Sequence, residues 1–325
     1  MSSHVLITGG NGFLGRALCA FLLFKGHRVT AMVRRHDAFL PAGVACWVAP
    51  NLPYIGQDAA QIFVDVDVVV HTAGRVHMVE ERETDQLTAF RLVNTDGTLA
   101  VARTAAKAGV RLFIFVSSIG VNGSKSQQNA FRYDDKPKPD SPYAQSKWEA
   151  EQALNLLQAE TSMKVIHLRP PLIYGNNAPG NFALLSSLVA KGWPLPLGGL
   201  NAPRSFAALE NVVDLLAHMV LHPNPPEGVY LVSDAKVTST TQFIQEMARG
   251  MGKSICLFPV PVGVLLVLFG ILGRSDQIRK MSSPLELDIH ATVSRLGWTP
   301  QVTMEEAMQR AYLSTPASNP LEHMS

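Results

Sequence analysis

The sequence predicts an α/β fold, a doubly wound parallel sheet followed by a smaller and less regular C-terminal region. Three observations predict it. Short β-branched runs alternate with helical patterns through the first two thirds of the chain. A glycine-rich turn stands between the first strand and the first helix. After residue 169, Pro170-Pro171, Pro179-Gly180 and Gly198-Gly199 break the alternation into short segments.

The first strand is expected over 4–7, where Val5-Leu6-Ile7 is a continuous apolar run. A helix over 12–25 follows, with Phe13, Leu14, Ala17, Leu18, Phe21 and Leu22 on one face. Further strands are expected over 28–33, 45–48, 67–71, 112–117 and 164–169. Val68-Val69-Val70 and Phe113-Ile114-Phe115-Val116 do not alternate with polar residues, as befits parallel strands buried on both faces. Helices are expected over 87–108 and 143–160 between strands, then over 210–221 and 240–252. Residues 1–173 are read as one domain, with 205–234 returning to it. Residues 174–204 and 235–325 are read as a second, over the carboxyl ends of the strands.

Composition removes several classes. Of the 325 residues, 47% are hydrophobic, ample for a core, so a disordered chain is excluded. Twenty-eight Lys and Arg against 26 Asp and Glu leave a net charge of +2, scattered, with no footprint for a nucleic-acid binder. Three distant cysteines (Cys19, Cys46, Cys256) fit neither a disulfide scaffold nor a zinc site, and no metal is expected. Residues 1–8 lack the basic start of a secretory leader, and a cytoplasmic location is expected. Residues 254–273 carry no charge, but Pro259 and Pro261 leave only 262–272 able to be helical. Eleven residues make roughly 16 Å, half a bilayer core, so a buried or interfacial helix is expected, with weak membrane contact at most.

Thr8-Gly9-Gly10-Asn11-Gly12-Phe13-Leu14-Gly15 carries glycines at 9, 12 and 15. Glycine permits a tight turn and lets backbone amides reach a pyrophosphate at the helix N-terminus, so the sheet reads as Rossmann-type. An NAD site normally places an acid at the end of the second strand. Here Arg34 and Arg35 stand there and the first acid is Asp37, which favours NADP(H) and leaves NAD(H) open.

Tyr143 and Lys147 lie four apart on one face of a helix that Asp140-Ser141-Pro142 opens. A nearby ammonium favours the phenolate, making Tyr143 a candidate acid/base for a carbinol or carbonyl oxygen. Ser117-Ser118 end the fifth strand, at the sheet edge where a hydroxyl can meet the same oxygen. His71-Thr72-Ala73-Gly74 ends the fourth strand in small residues that let a flat cofactor pass. Asn94 is read as an anchor for a water or for the lysine.

Together these residues resemble the extended short-chain dehydrogenase/reductase family of nucleotide-sugar epimerases, dehydratases and reductases, over nearly the whole chain. The resemblance implies catalytic Ser118, Tyr143 and Lys147, with Ser117 the neighbouring alternative. It implies cofactor contacts from Gly9, Asn11, Gly12, Phe13, Leu14, Gly15, Arg34, Arg35, Thr72, Ala73, Gly74, Asn94, Tyr143, Lys147 and Pro170. Asn181, after Arg169-Pro170-Pro171-Leu172-Ile173-Tyr174-Gly175, and Arg204 look like residues that hold a UDP diphosphate, with Ser118 also touching the sugar. Trp298 closes a Leu-Gly-Trp similar to the family's. The Arg169–Gly175 segment, Ser146-Lys147-Trp148-Glu149-Ala150-Glu151 and Val232-Ser233-Asp234 are similar to a bacterial branch of 4-reductases making UDP-N-acetyl-quinovosamine-type sugars. Two departures bear on this. The acid at the second strand is absent, and Ala49-Pro50-Asn51-Leu52 replaces the usual Asp after the third.

The resemblance therefore implies an enzyme that moves a hydride at C4 of a UDP-hexose, reducing a UDP-4-keto-6-deoxy-N-acetylhexosamine for surface polysaccharide. A 4-epimerase with retained NAD is the alternative. A non-catalytic NADP sensor and a dehydrogenase of hydrophobic alcohols are the rivals, opposed by the complete Ser-Tyr-Lys set and by Asn181 and Arg204 respectively. A mobile stretch over Glu80-Glu81-Arg82-Glu83 and a homodimer paired through helices 87–108 and 143–160 are further implications.

Overall fold

The computed structural model describes residues 2–36, 39–49, 51–52, 57–76, 85–271, 273 and 275–313. Asp37, Pro50 and residues 80–83 lie outside the described residues. The strands are β1 (His4–Thr8), β2 (Arg28–Val33), β3 (Ala45–Val48), β4 (Val68–His71), β5 (Leu112–Val116), β6 (Lys164–Arg169), β7 (Ile173–Tyr174), β8 (Pro203–Arg204), β9 (Ala207–Ala208), β10 (Gly228–Leu231) and β11 (Thr238–Ser239). Seven of them form one parallel sheet in the order β10-β6-β5-β4-β1-β2-β3, while β7 pairs with β9 and β8 with β11. The strand order reverses between β1 and β4, where Thr8 stands opposite His71. In sheets of this kind the ligand crevice opens at the carboxyl ends of that pair.

The helices are α1 (Phe13–Phe24), α2 (Gln86–Arg91), α3 (Gly97–Lys107), α4 (Pro142–Glu160), α5 (Asn181–Ala190), α6 (Leu209–Leu221), α7 (Thr240–Gly250), α8 (Val262–Ile271), α9 (Ser275–Ser282), α10 (His290–Leu296) and α11 (Met304–Leu313). Both faces of the sheet are covered, which explains the unbroken apolar runs. Val5 and Ile7 point to one face and pack with Leu18 and Leu22 of α1 and Leu215 and Met219 of α6. Leu6 between them points to the other, with Phe113, Phe115, Val101 of α3 and Leu154 of α4. A separate core joins Tyr174, Phe182, Phe206, Phe243, Met247, Leu265 and Met308, with Phe206 stacked on Phe243 at 4.2 Å between centroids.

The single helix expected over 87–108 is interrupted. A π turn over Leu92–Asp96 separates α2 from α3, and Asn94 in it is fully buried. The wide turn follows from what Asn94 holds. Its Oδ1 accepts from Arg75 N (2.7 Å), and its Nδ2 donates to Arg75 O and to Ser146 Oγ (3.1 Å each). Those three bonds draw one residue out of the helical ladder towards β4 and α4. Among the described residues no helix is long and apolar enough to cross a membrane.

Candidate active site

The glycine turn closes on itself at the switch point. Gly9 takes a left-handed φ of 68°, its N–H donates to Met32 O (2.9 Å), and Gly12 N–H donates to Gly9 O (2.8 Å). A Cβ on Gly9 would lie 2.9 Å from Ala73 Cα, and one on Gly15 would lie 2.3 Å from Gly9 O. Only glycine lets β1, α1 and the end of β4 approach this closely. Gly12 caps α1 without a side-chain hydrogen bond, and the first turn contains no acid. By contrast, Ser141 caps α4 by accepting from Ala144 N, and Ser239 caps α7 in a capping box. The uncapped amides of α1 and the bare glycine floor fit a pyrophosphate, which would bring both the acceptors and the negative charge this helix end lacks.

Beside the turn, Thr72 Oγ1 donates to Thr8 O (2.7 Å) and Ala73 N to Thr8 Oγ1 (3.3 Å). His71 is fully buried between Thr8 and Thr98. Thr98 gives its one hydrogen to Asn94 O (2.7 Å), so it accepts from His71 Nε2–H (3.0 Å). Nδ1 then accepts from the Thr8 hydroxyl (2.8 Å), which assigns the tautomer. Burial, reinforced by Lys147, pulls His71 down to about 3, and burial pulls His167 in β6 to about 4. Both stay neutral in the folded protein where the unfolded chain takes up protons. Stability is therefore unaffected by them above pH 6.5 and falls below it, by roughly 1.4 kcal/mol per pH unit for each histidine down to about pH 4. Urea unfolding of the protein and of His167→Gln between pH 7 and 5 checks this; the variant should show the shallower slope.

Ser118, Tyr143 and Lys147 meet at the carboxyl end of β5. Ser118 is hydrogen-bonded to Tyr143 and accepts from Gly120 N (3.1 Å), capping the 3₁₀ turn Ile119–Val121. Ser117 Oγ is buried with no partner, so it is Ser118 that serves the tyrosine. Lys147 is buried, donates to Val116 O (3.0 Å), and lies 4.6 Å from the Phe115 ring centroid. Burial lowers its ammonium to about 8 against the opposing charge of Glu151. Tyr143 departs from expectation. Burial raises its hydroxyl to about 12, only partly opposed by the hydrogen bond with Ser118. Asn94 anchors the backbone of Arg75 and the hydroxyl of Ser146, where an anchor for a water or for the lysine was expected.

The model of the NAD dependent epimerase/dehydratase family matches residues 5–233. The chain belongs to this family. It is 35% identical to a UDP-glucose 4-epimerase of Vibrio cholerae, over 95% of this chain and 94% of that one. It is 25% identical, over the same shares, to an N-acetyl-α-D-glucosaminyl-diphospho-ditrans,octacis-undecaprenol 4-epimerase of Escherichia coli O157:H7. The fold matches the crystal structure of a Thermotoga maritima UDP-glucose 4-epimerase with a TM-score of 0.76 at 21% identity, covering 95% of this chain and 98% of that one.

Within this family member, the remaining candidates are dispersed around the crevice. Arg34 and Arg35 follow β2 and are exposed. Asn11 and Gly12 are exposed at the turn, while Leu14 is buried behind it and Phe13 packs towards the second core. Pro170 is buried, its carbonyl accepting from Ile119 N (2.9 Å) and so fixing the turn after Ser118. Gly74 brings the chain past Lys147; a Cβ there would lie 3.3 Å from both Lys147 Nζ and Asn94 Oδ1. Asn181 is the exposed first residue of α5. Arg204 is more engaged than expected: Nη1 donates to Lys280 O and to Ser283 O (2.6 Å) at the end of α9, and burial lowers it to about 10. Among the described residues its other three N–H donors have no partner.

One group near the site was not legible beforehand. Arg169, 2% exposed at the end of β6, donates through Nε to Glu151 Oε1 (2.9 Å), through Nη2 to Glu151 Oε2, and through Nη1 to Asn122 Oδ1 (2.9 Å). Asn122 donates onward to Arg132 O (2.9 Å). A buried fork thus ties β6, α4 and the loop after Ser118 together. An arginine at the end of a buried strand was the available signal.

Proposed function

We propose that this chain transfers a hydride at C4 of a UDP-hexose, and that it reduces a UDP-4-keto-6-deoxy-N-acetylhexosamine with NADPH. The observation that carries the chemistry is Ser118 bonded to Tyr143, with Lys147 one turn on, at the sheet edge above the glycine turn. The dinucleotide, when bound, supplies the hydride. The amides following Gly12 would hold its pyrophosphate, and Gly74 and Lys147 would flank its nicotinamide end. Tyr143, protonated at neutral pH, donates its proton to the C4 oxygen. Ser118 orients that oxygen, and Lys147 offsets the charge left on Tyr143. Asn181 and the free donors of Arg204 would take the UDP diphosphate. Residues 1–173 and 205–234 serve the cofactor in this reading, and 174–204 with 235–325 the sugar nucleotide.

A UDP-sugar as substrate is supported by the likeness to the UDP-glucose 4-epimerase of Vibrio cholerae. Reduction with NADPH is supported by Arg34 and Arg35, exposed where a 2′-phosphate would lie. The second reading, a 4-epimerase that retains NAD, is favoured by that same relative's name. The test is to denature the purified protein, identify any released nucleotide, and offer NADPH with the keto-sugar. NADPH oxidation dependent on the keto-sugar supports the reductase; stoichiometric NAD and no NADPH use supports the epimerase. For the reductase, Arg34→Ala with Arg35→Ala should raise KM for NADPH by roughly ten- to a hundredfold and leave that for NADH nearly unchanged. Pairing of two copies through residues 87–108 and 143–160, and action in the cytoplasm, belong to the same proposal; sedimentation velocity tests the former.

A further inference from the structure

Helix α8 is apolar all round, yet only one of its sides is covered. Val262, Leu265, Leu266 and Phe269 pack on the second core, and Leu265 is fully buried. Val264, Val267, Leu268 and Ile271, spaced i, i+3, i+4 and i+7 on the opposite side, are 49%, 67%, 53% and 81% exposed. A surface helix ordinarily turns polar residues outwards; this one has none, and no charged residue occurs from 254 to 273.

The border of this face has its own chemistry. Residues 256–258 run beside Leu195, through Leu195 N to Cys256 O (3.0 Å) and Phe258 N to Leu195 O (3.1 Å). This sets the exposed Phe258 on the segment alongside the one that carries the exposed Trp193. Lys191 Nζ lies 5.1 Å from the Trp193 ring centroid, and Lys253 donates to Ala190 O, joining the two segments. Arg279 and Lys280 are exposed in the last turn of α9, which packs on α8. No acid occurs in 191–200 or 251–273, and Asp276 is the one acid of α9.

We infer that α8 lies flat on a bilayer containing anionic lipid. Its ten residues, roughly 15 Å, are too short to span the hydrocarbon core, and Pro259 and Pro261 precede it. The apolar side enters the acyl boundary, Trp193 and Phe258 sit at headgroup level, and the four cations meet the anionic headgroups. A second copy of the chain suits the apolar side but not its border. A two-fold contact would bring like-charged rims together.

Flotation with vesicles of phosphatidylcholine, alone or mixed with phosphatidylglycerol, tests this on the full chain. The protein should float with the mixed vesicles at low salt, less so at high salt, and little with phosphatidylcholine alone. Ile271→Glu and Leu268→Glu should each reduce flotation at least about tenfold with an unchanged melting curve, since neither side chain is buried. As a second readout, brominated lipid should quench emission in the protein more than in Trp193→Phe. Protein left at the bottom with both vesicle types overturns the inference. So does flotation unaffected by Ile271→Glu, or a dimer that Ile271→Glu splits while no vesicle binding is seen.

Discussion

Tyr143→Phe is expected to lower kcat by about 10²- to 10⁴-fold, the range for loss of a positioned acid or base, with KM changed little. The phenyl ring keeps its edge contact with Phe90, 5.9 Å between centroids, and Ser118 keeps the Gly120 amide, so the fold has no reason to respond. What disappears is the proton at the C4 oxygen. The direction of the pKa shift sharpens the expectation. A hydroxyl held at about 12 is protonated throughout neutral pH, suited to donating in a reduction. To act as a base in the reverse direction it must be lowered, and the Lys147 ammonium, which keeps two N–H donors besides the one on Val116 O, is the group suited to lower it. Lys147→Met should therefore lower kcat in both alcohol oxidation and ketone reduction, since both directions share one transition state. Steady-state rates in both directions, with unfolding curves for each variant, check the pair. A raised KM with unchanged kcat would show that Lys147 acts on binding alone.

The sheet was readable because its physics is local. Strands covered on both faces need unbroken apolar runs, and Val68–Val70 and Phe113–Val116 show them without reference to anything distant. The glycine turn was readable for the same reason, since three close approaches fall within seven residues. What escaped depends on partners far along the chain. The π turn exists because Asn94 bonds to Arg75 and Ser146, 19 and 52 residues away. Tyr143 and Lys147 were rightly placed on one helical face, but their mutual electrostatics were not foreseeable. Burial competes with the charge, and the orientation of Lys147 is decided by a carbonyl of β5. Arg204 reads as a diphosphate ligand, and its Nη1 also donates to Lys280 O and Ser283 O, 76 and 79 residues on.

Arg169→Ala should be the most destabilising single substitution near the site. It leaves the Glu151 carboxylate, fully buried, without the guanidinium bonded to it, and removes the bond to Asn122 Oδ1. Breaking one side of a buried pair costs about 3–5 kcal/mol, because the remaining charge is neither solvated nor paired. Replacing both partners with apolar residues of like size, Arg169→Met with Glu151→Leu, should recover most of that loss, and urea unfolding of the two singles and the double measures the coupling. Activity should not recover with stability. Asn122 stays without its guanidinium, so the loop that follows Ser118 loses its side-chain tie to β6 and keeps the Asn122 bond to Arg132 O and the backbone bond from Ile119 N to Pro170 O. The negative charge that holds the Lys147 ammonium up also goes, so that ammonium falls below about 8 and a smaller fraction is charged at neutral pH. The alkaline limb of the rate profile should move to lower pH in the double variant although its fold is restored. A double variant as active as the parent, with an unmoved profile, would reduce the fork to packing; a stable but impaired one makes it the element that sets both the Ser118 loop and the charge on Lys147.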